Sequence, residues 1–398
     1  MSETPWLSII GLGEDGPEGL SPASQKALEG AEIVMGPARH LALLGDTGIE
    51  QIEWPVPFSD GIERLLALKG RQVAVLASGD PFWFGAGSSI NKHLKRREWQ
   101  SFPASSTFSL AANRLGWGLQ ETLCLGLHAT PLEVLRPKLA KGLQAIVLLR
   151  DGMAVAELAG FLDKHGFGES QMTILEALGG PREHIREVTA NDIPTDIQHP
   201  VCVALTVNGN GAVLPTSSGR PDDWFDNDGQ ITKRPIRAMT LSSLAPKPGE
   251  HLWDIGGGSG SIAIEWMLSH GNNSATVVEA REDRAARIKE NAEKFGLSAL
   301  KVVDAKAPEG LDALKAPDAV FIGGGLSEVL LQYLSTHLPG GTRIIANSVT
   351  LESDALLTEW QEKLGGDLMK LELSSLSKIG PRRGWKAAYP LVQWRVTL

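Results

Sequence analysis

The sequence predicts an α/β protein with largely parallel sheets. Short apolar runs of strand length alternate along the chain with longer amphipathic segments of helical periodicity. The strand-like runs are Leu7–Ile10, Val73–Ala77, Ile146–Leu149, Val201–Val207, Leu252–Ile255, Thr276–Val278, Ala319–Ile322 and Arg343–Ala346. The helical segments between several of them include Ser21–Leu28, Asp283–Phe295 and Ser327–Leu338. Strands that alternate with helices in this way are typical of parallel sheets.

The length of the chain indicates more than one domain. At 398 residues it exceeds what one typical hydrophobic core supports. Residues 208–230 are rich in Gly, Pro, Ser and Asp and lack sustained periodicity, as connectors between domains often do. We therefore predict a first domain over residues 1–210, a linker over 211–230 and a second domain over 231–398. The first domain is expected to divide again near Gly116–Glu121.

The composition argues against several classes of protein. A formal net charge of −9 does not favour a nucleic-acid partner, because that binding depends on cationic side chains. The two cysteines, Cys124 and Cys202, are too few for a disulfide framework or a zinc site built on four cysteines, and no metal is expected. Met1–Trp6 lacks the pattern of a secretory signal, and no apolar run has the length of a membrane helix. We therefore expect a cytoplasmic protein with no membrane partner.

The strongest local motif lies in the second domain, where residues 252–260 read Leu-Trp-Asp-Ile-Gly-Gly-Gly-Ser-Gly before an apolar helical segment. This order predicts a strand, a glycine loop and a helix. Gly256, Gly258 and Gly260 allow a tight turn, and the helix N-terminus behind them offers free N–H groups to a ligand. Glu279 follows about 20 residues later at the end of the next predicted strand, where a carboxylate can accept two ribose hydroxyls.

The same loop distinguishes between two kinds of ligand. A dinucleotide fingerprint requires a third glycine where Ser261 stands, and it normally lacks an acid at the position of Asp254. The order D-x-G-x-G-x-G instead resembles motif I of the Rossmann-like S-adenosylmethionine-dependent methyltransferases. By this resemblance, Asp304 and Ala305 at the end of another short strand lie where the adenine is contacted. A glycine-rich turn without a ligand is the alternative interpretation.

A run of three glycines follows the next predicted strand, in residues 319–325, which read Ala-Val-Phe-Ile-Gly-Gly-Gly. Methyltransferases that act on exocyclic amines of nucleic acids usually carry Asp or Asn before Pro-Pro-aromatic at this place, to hold a flipped base. This chain lacks that motif. Gly323, Gly324 and Gly325 would leave an open floor beside the methyl donor, which fits a wide, flat substrate.

The first domain opens with a second glycine loop, in which Gly11, Gly13 and Gly16 match G-x-G-x-x-G. The next helix is predicted to begin only after Ser21, its N-cap, so the loop does not open directly into a helix. The following strand, near Ile33–Met35, supplies no acid for a ribose. A dinucleotide site is therefore not predicted here.

Two further motifs complete the N-terminal pattern. They are Ser78-Gly79-Asp80-Pro81 with Gly85 after it, and Pro103-Ala104-Ser105-Ser106. With the first loop they resemble the tetrapyrrole methylase family over about residues 5–207. The resemblance implies a fold of two α/β subdomains with S-adenosylmethionine in the cleft between them.

The N-terminal pattern departs from that family at one place and leaves other interpretations open. The family commonly has Pro-Gly after the second glycine of the first loop, where this chain has Glu14 and Asp15. Asp80 could be a turn residue before a proline. Ser105 and Ser106 could cap the helix that follows them.

The second domain has a more specific resemblance, carried by four segments. They are residues 230–234 (Gln-Ile-Thr-Lys-Arg), the loop at 253–260, the run at 321–325, and residues 346–352 (Ala-Asn-Ser-Val-Thr-Leu-Glu). Together they resemble the decarboxylating precorrin methyltransferase domain of cobalamin biosynthesis over most of residues 222–398. The resemblance implies that Thr232, the 256–260 loop and Glu279 contact S-adenosylmethionine.

The combination of these two domains in one chain resembles the bifunctional precorrin-6Y (precorrin-6B) methyltransferase family. This resemblance implies carbon-5 methylation by the first domain, and decarboxylation of the ring C acetate with carbon-15 methylation by the second, giving precorrin-8. It also implies two S-adenosylmethionine sites per chain. The cofactor-binding residues so implied are Gly11, Gly13, Ser78, Gly79, Asp80, Gly85, Ser105, Ser106, Thr232, Asp254, Gly256, Gly258, Gly260, Glu279, Asp304 and Ala305.

The substrate implied by the resemblance is a polycarboxylate, which arginine can bind in a bidentate manner. The candidate substrate-binding residues are Arg39, His40, Lys233, Arg234, Gly323, Gly324, Arg382 and Arg383, and Arg237 is a further candidate anchor. A solvated charged surface is the alternative for each charged residue. No catalytic acid is assigned.

Other functions remain open at this point. The same steps could act on a cobalt-precorrin, or one domain could be an inactive scaffold, an alternative that Glu14 and Asp15 keep open for the first domain. A methyltransferase for RNA or another small molecule would need a base-holding motif or a basic face, and neither is visible. Relatives of both domains self-associate, so a homo-oligomer is expected.

Overall fold

The computed structural model describes residues 5–398. Unit 1 consists of the described residues up to Thr130 together with Leu139–Ala212, and unit 2 consists of Pro131–Lys138 together with Val213–Leu398. The expectation about Met1–Trp6 also concerns residues 1–4, which lie outside the described residues. Within residues 5–398, every helix is too short or too polar to cross a membrane.

Unit 1 begins with an all-parallel sheet of five strands in the order β3-β2-β4-β1-β5. The strands are β1 (Leu7–Leu12), β2 (Ile33–Gly36), β3 (Glu50–Glu53), β4 (Val73–Ser78) and β5 (Trp99–Phe102). The helices are α1 (Pro22–Glu29), α2 (Ala38–Leu44), α3 (Phe58–Ala67) and α4 (Ala86–Ile90). Ser21 caps α1 as predicted, since its hydroxyl accepts a hydrogen bond from the Ser24 backbone N–H at 3.1 Å.

The second sheet of unit 1 is mixed and departs from the expectation of largely parallel strands. Its order is β6-β7-β10-β8-β9, and three of its pairs are antiparallel. The elements are α5 (Thr107–Leu115), β6 (Leu123–Gly126), β7 (Gln144–Leu149), α6 (Met153–Lys164), β8 (Gln171–Glu176), β9 (His184–Thr189) and β10 (Val201–Thr206). The short connection from β8 to β9 contains no crossover helix, so these two strands pair as a hairpin. The predicted division near Gly116–Glu121 lies between α5 and β6.

Unit 2 has a sheet of seven strands in the order β13-β12-β11-β14-β15-β19-β16. The helices are α7 (Arg234–Leu244), α8 (Ser261–Ser269), α9 (Glu282–Lys294), α10 (Glu328–His337) and α11 (Leu351–Leu364). The strands of this sheet are β11 (His251–Ile255), β12 (Ser274–Glu279), β13 (Lys301–Asp304), β14 (Ala319–Ile322), β15 (Arg343–Ser348), β16 (Asp367–Leu371) and β19 (Leu391–Thr397). A separate hairpin consists of β17 (Ser374–Ile379) and β18 (Arg382–Ala387). Every apolar run named above forms a strand.

The topology of unit 2 predicts where a ligand binds. The strands β11 to β15 are parallel, and the chain moves to one side of β11 for β12 and β13 but to the other side for β14. In open α/β sheets a crevice forms at such a reversal, outside the carboxyl ends of the strands. The glycine loop after β11 and the glycine run after β14 both lie at this edge.

Part of the segment 211–230 packs against unit 2. Phe225 is 2% exposed and stacks on Phe295 with 4.9 Å between ring centroids. The buried Glu265 carboxylate accepts hydrogen bonds from the backbone N–H groups of Gly219 at 2.6 Å and Arg220 at 2.9 Å. These contacts fix the route by which the chain enters α7.

Candidate functional site

Unit 1 contains a cavity of about 490 Å³ at the carboxyl ends of β1 and β4. It brings together motifs that are far apart in the sequence: the first glycine loop, the loop after β4 and the segment before α5. The predicted site residues that line it are Gly13, Arg39, His40, Ser78, Gly79, Asp80, Gly85, Ser105 and Ser106. The two sheets of unit 1 both contribute, because Leu149 of β7 and Cys202 of β10 also line the cavity.

Gly11 lies behind this lining near the end of β1, where two loops contact the strand. A Cβ atom at Gly11 would be 1.9 Å from the Gly79 carbonyl oxygen and 2.6 Å from the Ala104 backbone nitrogen. No side chain fits in that space. The absence of a side chain at Gly11 therefore lets β1 support the loops that carry Gly79 and Ser105.

Two of the alternative interpretations for the loop residues describe the structure correctly. The Asp80 carboxylate accepts a hydrogen bond from the Phe82 backbone N–H at 2.8 Å, so Asp80 does stabilise a turn. Ser106 caps α5, because its hydroxyl accepts from the Ser109 backbone N–H at 3.1 Å. Both residues also line the cavity, so these structural roles do not remove them from the predicted site.

Glu14, one of the two residues that depart from the tetrapyrrole methylase pattern, is held between two arginines. Its side chain is 7% exposed and forms ion pairs with Arg39 and, at 3.0 Å, with Arg182. Within this cluster the two guanidinium groups outnumber the single carboxylate. Glu14 therefore does not make the cavity repel an anionic substrate.

His40 borders the cavity as a neutral imidazole. It is 3% exposed, and its Nε2 lies 3.1 Å from the Ser78 hydroxyl and 2.9 Å from Arg39 Nη2. Burial, and then the neighbouring Arg39 charge, lower the pKa of His40 to about 4. The site therefore gains its positive charge from arginine and not from histidine at neutral pH.

This shift predicts how acid affects the stability of unit 1. Between pH 6.5 and about 4 the unfolded chain binds a proton at His40 that the folded chain excludes, so stability falls as the pH falls. From pH 7 to pH 5 the loss from this group is about 2 kcal/mol. We expect His40→Gln to reduce the acid-induced loss by that amount in urea denaturation at the two pH values. An equal loss in both proteins would contradict the assignment.

Three aromatic residues of the cavity were not predicted as site residues. Trp83, Phe84 and Phe108 line it, and Trp83 and Phe84 are 37% and 48% exposed. Both rings pack against Phe108, with centroid distances of 5.1 Å and 5.7 Å. The three consecutive aromatic residues after Pro81 were the sequence signal that could have identified two of them.

Unit 2 contains a cavity of about 970 Å³ at the carboxyl edge of its parallel strands. It is lined by residues from β11, β12 and β14 and by the segment that precedes α7. The predicted site residues that line it are Thr232, Lys233, Gly256, Gly258, Glu279, Ala305, Gly323 and Gly324. Arg284 and Lys306 add two cationic side chains to the lining that were not predicted.

The two glycine segments of unit 2 touch at Gly256. This residue has φ +70°, and a Cβ atom on it would be 2.6 Å from the Gly324 backbone. The loop is further fixed by Glu279, whose carboxylate accepts hydrogen bonds from the Gly258 N–H at 3.0 Å and the Arg281 N–H at 3.1 Å. A carboxylate has lone pairs beyond these two, so Glu279 can still accept from the hydroxyls of a ligand.

Asp254 does not line the cavity but supports the loop from behind. It is 1% exposed, and its Oδ2 accepts a hydrogen bond from the Ala263 backbone N–H at 3.1 Å, in the first turn of α8. Burial raises the pKa of Asp254 to about 7. Asp254 thus performs the role of a helix cap, which fixes the start of α8 relative to the end of β11.

The remaining predicted residues of unit 2 lie outside the cavity lining. Gly260 is the N-cap of α8 with φ +75°, and Asp304 is exposed beside Ala305. Arg234 is exposed at the start of α7. Arg382 and Arg383 are exposed on the β17–β18 hairpin.

Arg237 is not available as a substrate anchor, and that expectation was wrong. Its side chain is fully buried, with Nε donating to Glu265 at 2.7 Å and Nη1 to Asp222 at 3.0 Å. Nη1 also donates to the Thr232 carbonyl oxygen at 2.5 Å. The Arg237 guanidinium is thus bonded to other groups of the protein and not to a ligand. Its bond to the Thr232 carbonyl oxygen holds the segment that carries Thr232.

Comparison with known proteins assigns both halves of the chain. The family model of the tetrapyrrole (corrin/porphyrin) methylases matches residues 7–194, and that of the precorrin methyltransferase domain matches residues 223–398. A Sinorhizobium sp. protein named precorrin-6Y C(5,15)-methyltransferase (decarboxylating) is 43% identical over 400 residues, which cover 99% of this chain and 97% of that protein. The chain belongs to the precorrin-6Y C(5,15)-methyltransferase family.

Two further proteins of this name are similar to nearly the whole chain or to part of it. A Mycobacterium tuberculosis (strain CDC 1551 / Oshkosh) protein of the same name is 38% identical over 402 residues, which cover 98% of this chain and 99% of that protein. The crystal structure of the C-terminal domain of precorrin-6Y C5,15-methyltransferase from Rhodobacter capsulatus is 46% identical, with a TM-score of 0.45. It covers 46% of this chain and 100% of that domain.

Membership of a methyltransferase family implies S-adenosylmethionine as the methyl donor. The residues of unit 2 fit that molecule, because the close contact at Gly256 shapes a turn without side chains and Glu279 supplies acceptors beside it. The residues of unit 1 fit a ligand of similar size, since its cavity is bordered by the glycine loops at Gly13 and Gly79.

Proposed function

We propose that this protein uses S-adenosylmethionine to methylate precorrin-6B at carbons 5 and 15 and removes the ring C acetate carboxyl group as carbon dioxide, giving precorrin-8. Unit 1 methylates carbon 5, and unit 2 carries out the decarboxylation and methylates carbon 15. The observation that carries the proposal is the presence of two separate cavities in one chain, each bordered by the glycine loops of its own methylase-type fold. Each chain accordingly binds two molecules of S-adenosylmethionine.

The chemistry of methylation places modest demands on the protein. S-adenosylmethionine supplies a methyl group already activated on a sulfonium, and the nucleophile is an electron-rich carbon of the reduced macrocycle. The side chains need to hold that carbon in line with the methyl group and the sulfur, and positioning of this kind accounts for a large part of such rate enhancements. In unit 1, Arg39 at the cavity edge attracts carboxylates while Trp83 and Phe84 offer flat apolar faces.

Decarboxylation in unit 2 requires an electron sink, which the conjugated imines of the ring provide. The protein holds the acetate out of the ring plane so that the breaking bond aligns with the π system, and a proton then replaces the lost carbon dioxide on the remaining methylene carbon. Lys233 and Lys306 line the cavity and can attract a polycarboxylate, whereas Arg284, also in the lining, is paired with Asp228 at 2.9 Å. Gly323 and Gly324 form a floor without side chains beside the glycine loop of β11.

The proposal also includes the domain limits, the cofactor contacts, the cellular location and the assembly of the protein. The predicted domain limits, 1–210 and 231–398 with a linker over 211–230, describe the two catalytic parts. The predicted cofactor residues that line the two cavities contact S-adenosylmethionine, whereas Gly11 and Asp254 support the loops from behind. We propose a cytoplasmic homo-oligomer whose partner is the tetrapyrrole, with neither nucleic acid nor membrane as a partner. The net charge of −9 does not favour a nucleic-acid partner, and cationic side chains at the cavities such as Arg39 and Lys233 can contact the carboxylates of the tetrapyrrole.

Mass spectrometry tests the proposal directly. The protein is incubated with precorrin-6B and methyl-labelled S-adenosylmethionine, and the product is expected to gain two methyl groups and lose one carbon dioxide. A parallel reaction with cobalt-precorrin-6B tests whether the cobalt-containing compound, and not the cobalt-free one, is the substrate. An unchanged mass of both authenticated substrates would refute the proposal. Gain of a single methyl group would indicate that one unit is an inactive scaffold and would contradict the assignment of two methylations.

A further inference from the structure

Asn347 lies in a motif that the cofactor sites do not explain. It belongs to the segment 346–352 and is the second-last residue of β15, at the carboxyl edge of the sheet. The side chain is partly buried and lines the cavity of unit 2. Directly opposite Asn347 on the antiparallel strand β19 is Gln393, which is 2% exposed.

A chain of hydrogen bonds fixes the orientation of the Asn347 amide. Gln393 Oε1 accepts from the Ser243 hydroxyl at 2.6 Å, and Gln393 Nε2 faces Asn347. Nε2 donates to Asn347 Oδ1 at 2.8 Å and to the Thr240 hydroxyl oxygen at 3.2 Å. Asn347 Nδ2 donates to that same Thr240 oxygen at 3.0 Å.

This arrangement leaves one donor for a ligand. The Asn347 carbonyl oxygen is committed to Gln393, and one Nδ2 hydrogen is committed to Thr240. The second Nδ2 hydrogen has no hydrogen-bond acceptor among residues 5–398. Exchange of the two ends of the Asn347 amide alone would turn its Nδ2 toward Gln393 Nε2 and place two donors together, so Gln393 holds the amide in this orientation.

We propose that Asn347 contacts the substrate of unit 2 by donating a hydrogen bond to one of its carboxylates, and that Gln393 is a positioning residue that holds the amide in this orientation. A fixed neutral donor orients an anionic oxygen without the strong desolvation cost of a second buried charge. The bond also adds a directional contact to the diffuse attraction of Lys233 and Lys306. This inference rests on the proposed function, because it takes a polycarboxylate as the substrate.

Asn347→Asp tests the donor with little change of shape. The aspartate keeps an acceptor for Gln393 Nε2 but replaces the free N–H by a negatively charged oxygen. We expect the KM of precorrin-6B for carbon dioxide release to rise roughly tenfold or more, with carbon-5 methylation unaffected. The affinity for S-adenosylhomocysteine is expected to change less than about twofold. The matched control is Asn272→Asp, an exposed position before β12 at the opposite edge of the sheet, which should behave as wild type.

Gln393→Leu tests the positioning role, because leucine removes the bonds to Asn347 and Thr240 at similar volume. It is expected to raise the same KM more than kcat is lowered, and to add little in the double variant with Asn347→Asp. An unchanged KM in Asn347→Asp would overturn the inference. A parallel loss of S-adenosylhomocysteine affinity would also overturn it, since Asn347 would then serve the cofactor. Failure of the wild-type reaction would instead refute the proposed function.

Discussion

Asp254→Ala is expected to remove the carbon-15 chemistry, namely carbon dioxide release and the second methyl transfer, while carbon-5 methylation stays largely intact. The reason is structural, since Asp254 is buried behind the glycine loop and accepts the Ala263 N–H at 3.1 Å. Alanine leaves that N–H buried without a partner and loosens the start of α8. A penalty of about 1–3 kcal/mol, if it falls on cofactor binding, corresponds to a loss of affinity in unit 2 of roughly 5- to 140-fold.

Asp254→Asn is the matched variant for this prediction. Its amide oxygen can still accept from Ala263, and burial already raises the pKa of Asp254 to about 7, so the pocket tolerates a neutral group. We expect it to retain most of the carbon-15 activity, measured by release of labelled carbon dioxide. If Asp254→Ala abolished methylation at both carbons in a folded protein, the two sites would not be independent.

Gly11→Ala is expected to have the converse effect, a loss of carbon-5 methylation with the carbon-15 chemistry preserved. The added methyl group would be 1.9 Å from the Gly79 carbonyl oxygen and 2.6 Å from the Ala104 nitrogen, both of them backbone atoms. Overpacking of this kind typically costs about 1–3 kcal/mol. The loops that carry Gly79 and Ser105 must separate, which distorts the cavity of unit 1.

The same substitution at Gly160 provides the control. Gly160 is exposed on α6, and a Cβ atom there would meet nothing within 4 Å. Gly160→Ala should therefore keep carbon-5 methylation at the wild-type rate, measured by transfer of a labelled methyl group. Equal rates in Gly11→Ala and wild type would show that the loops of unit 1 do not depend on the contact at Gly11.

Local patterns were enough to predict much of the fold and of the cofactor loops. The apolar runs became strands because burial on both faces requires continuous apolar sequence. The spacing from the glycine loop to Glu279 correctly placed them together, since the Gly258 N–H donates to Glu279 at 3.0 Å. These features depend on neighbouring elements of one βαβ unit, so local sequence patterns are sufficient to predict their geometry.

Contacts between distant segments could not be predicted in this way. Glu14 and Arg182 are separated by 168 residues and meet only because the unit folds around its cavity. Asn347 reaches Gln393 through the antiparallel strand β19, which no local pattern assigns to the edge of β15. Arg237 is a further example, since nothing in its local sequence indicates burial against Glu265.

Titration calorimetry with S-adenosylhomocysteine tests the central claim that each half of the chain has its own methyl-donor site. The account predicts two molecules bound per wild-type chain, with Gly11→Ala losing the site of unit 1 and Asp254→Ala weakening or losing that of unit 2. Asn347→Asp should retain both sites. A single bound molecule per chain in the folded wild-type protein would contradict the account.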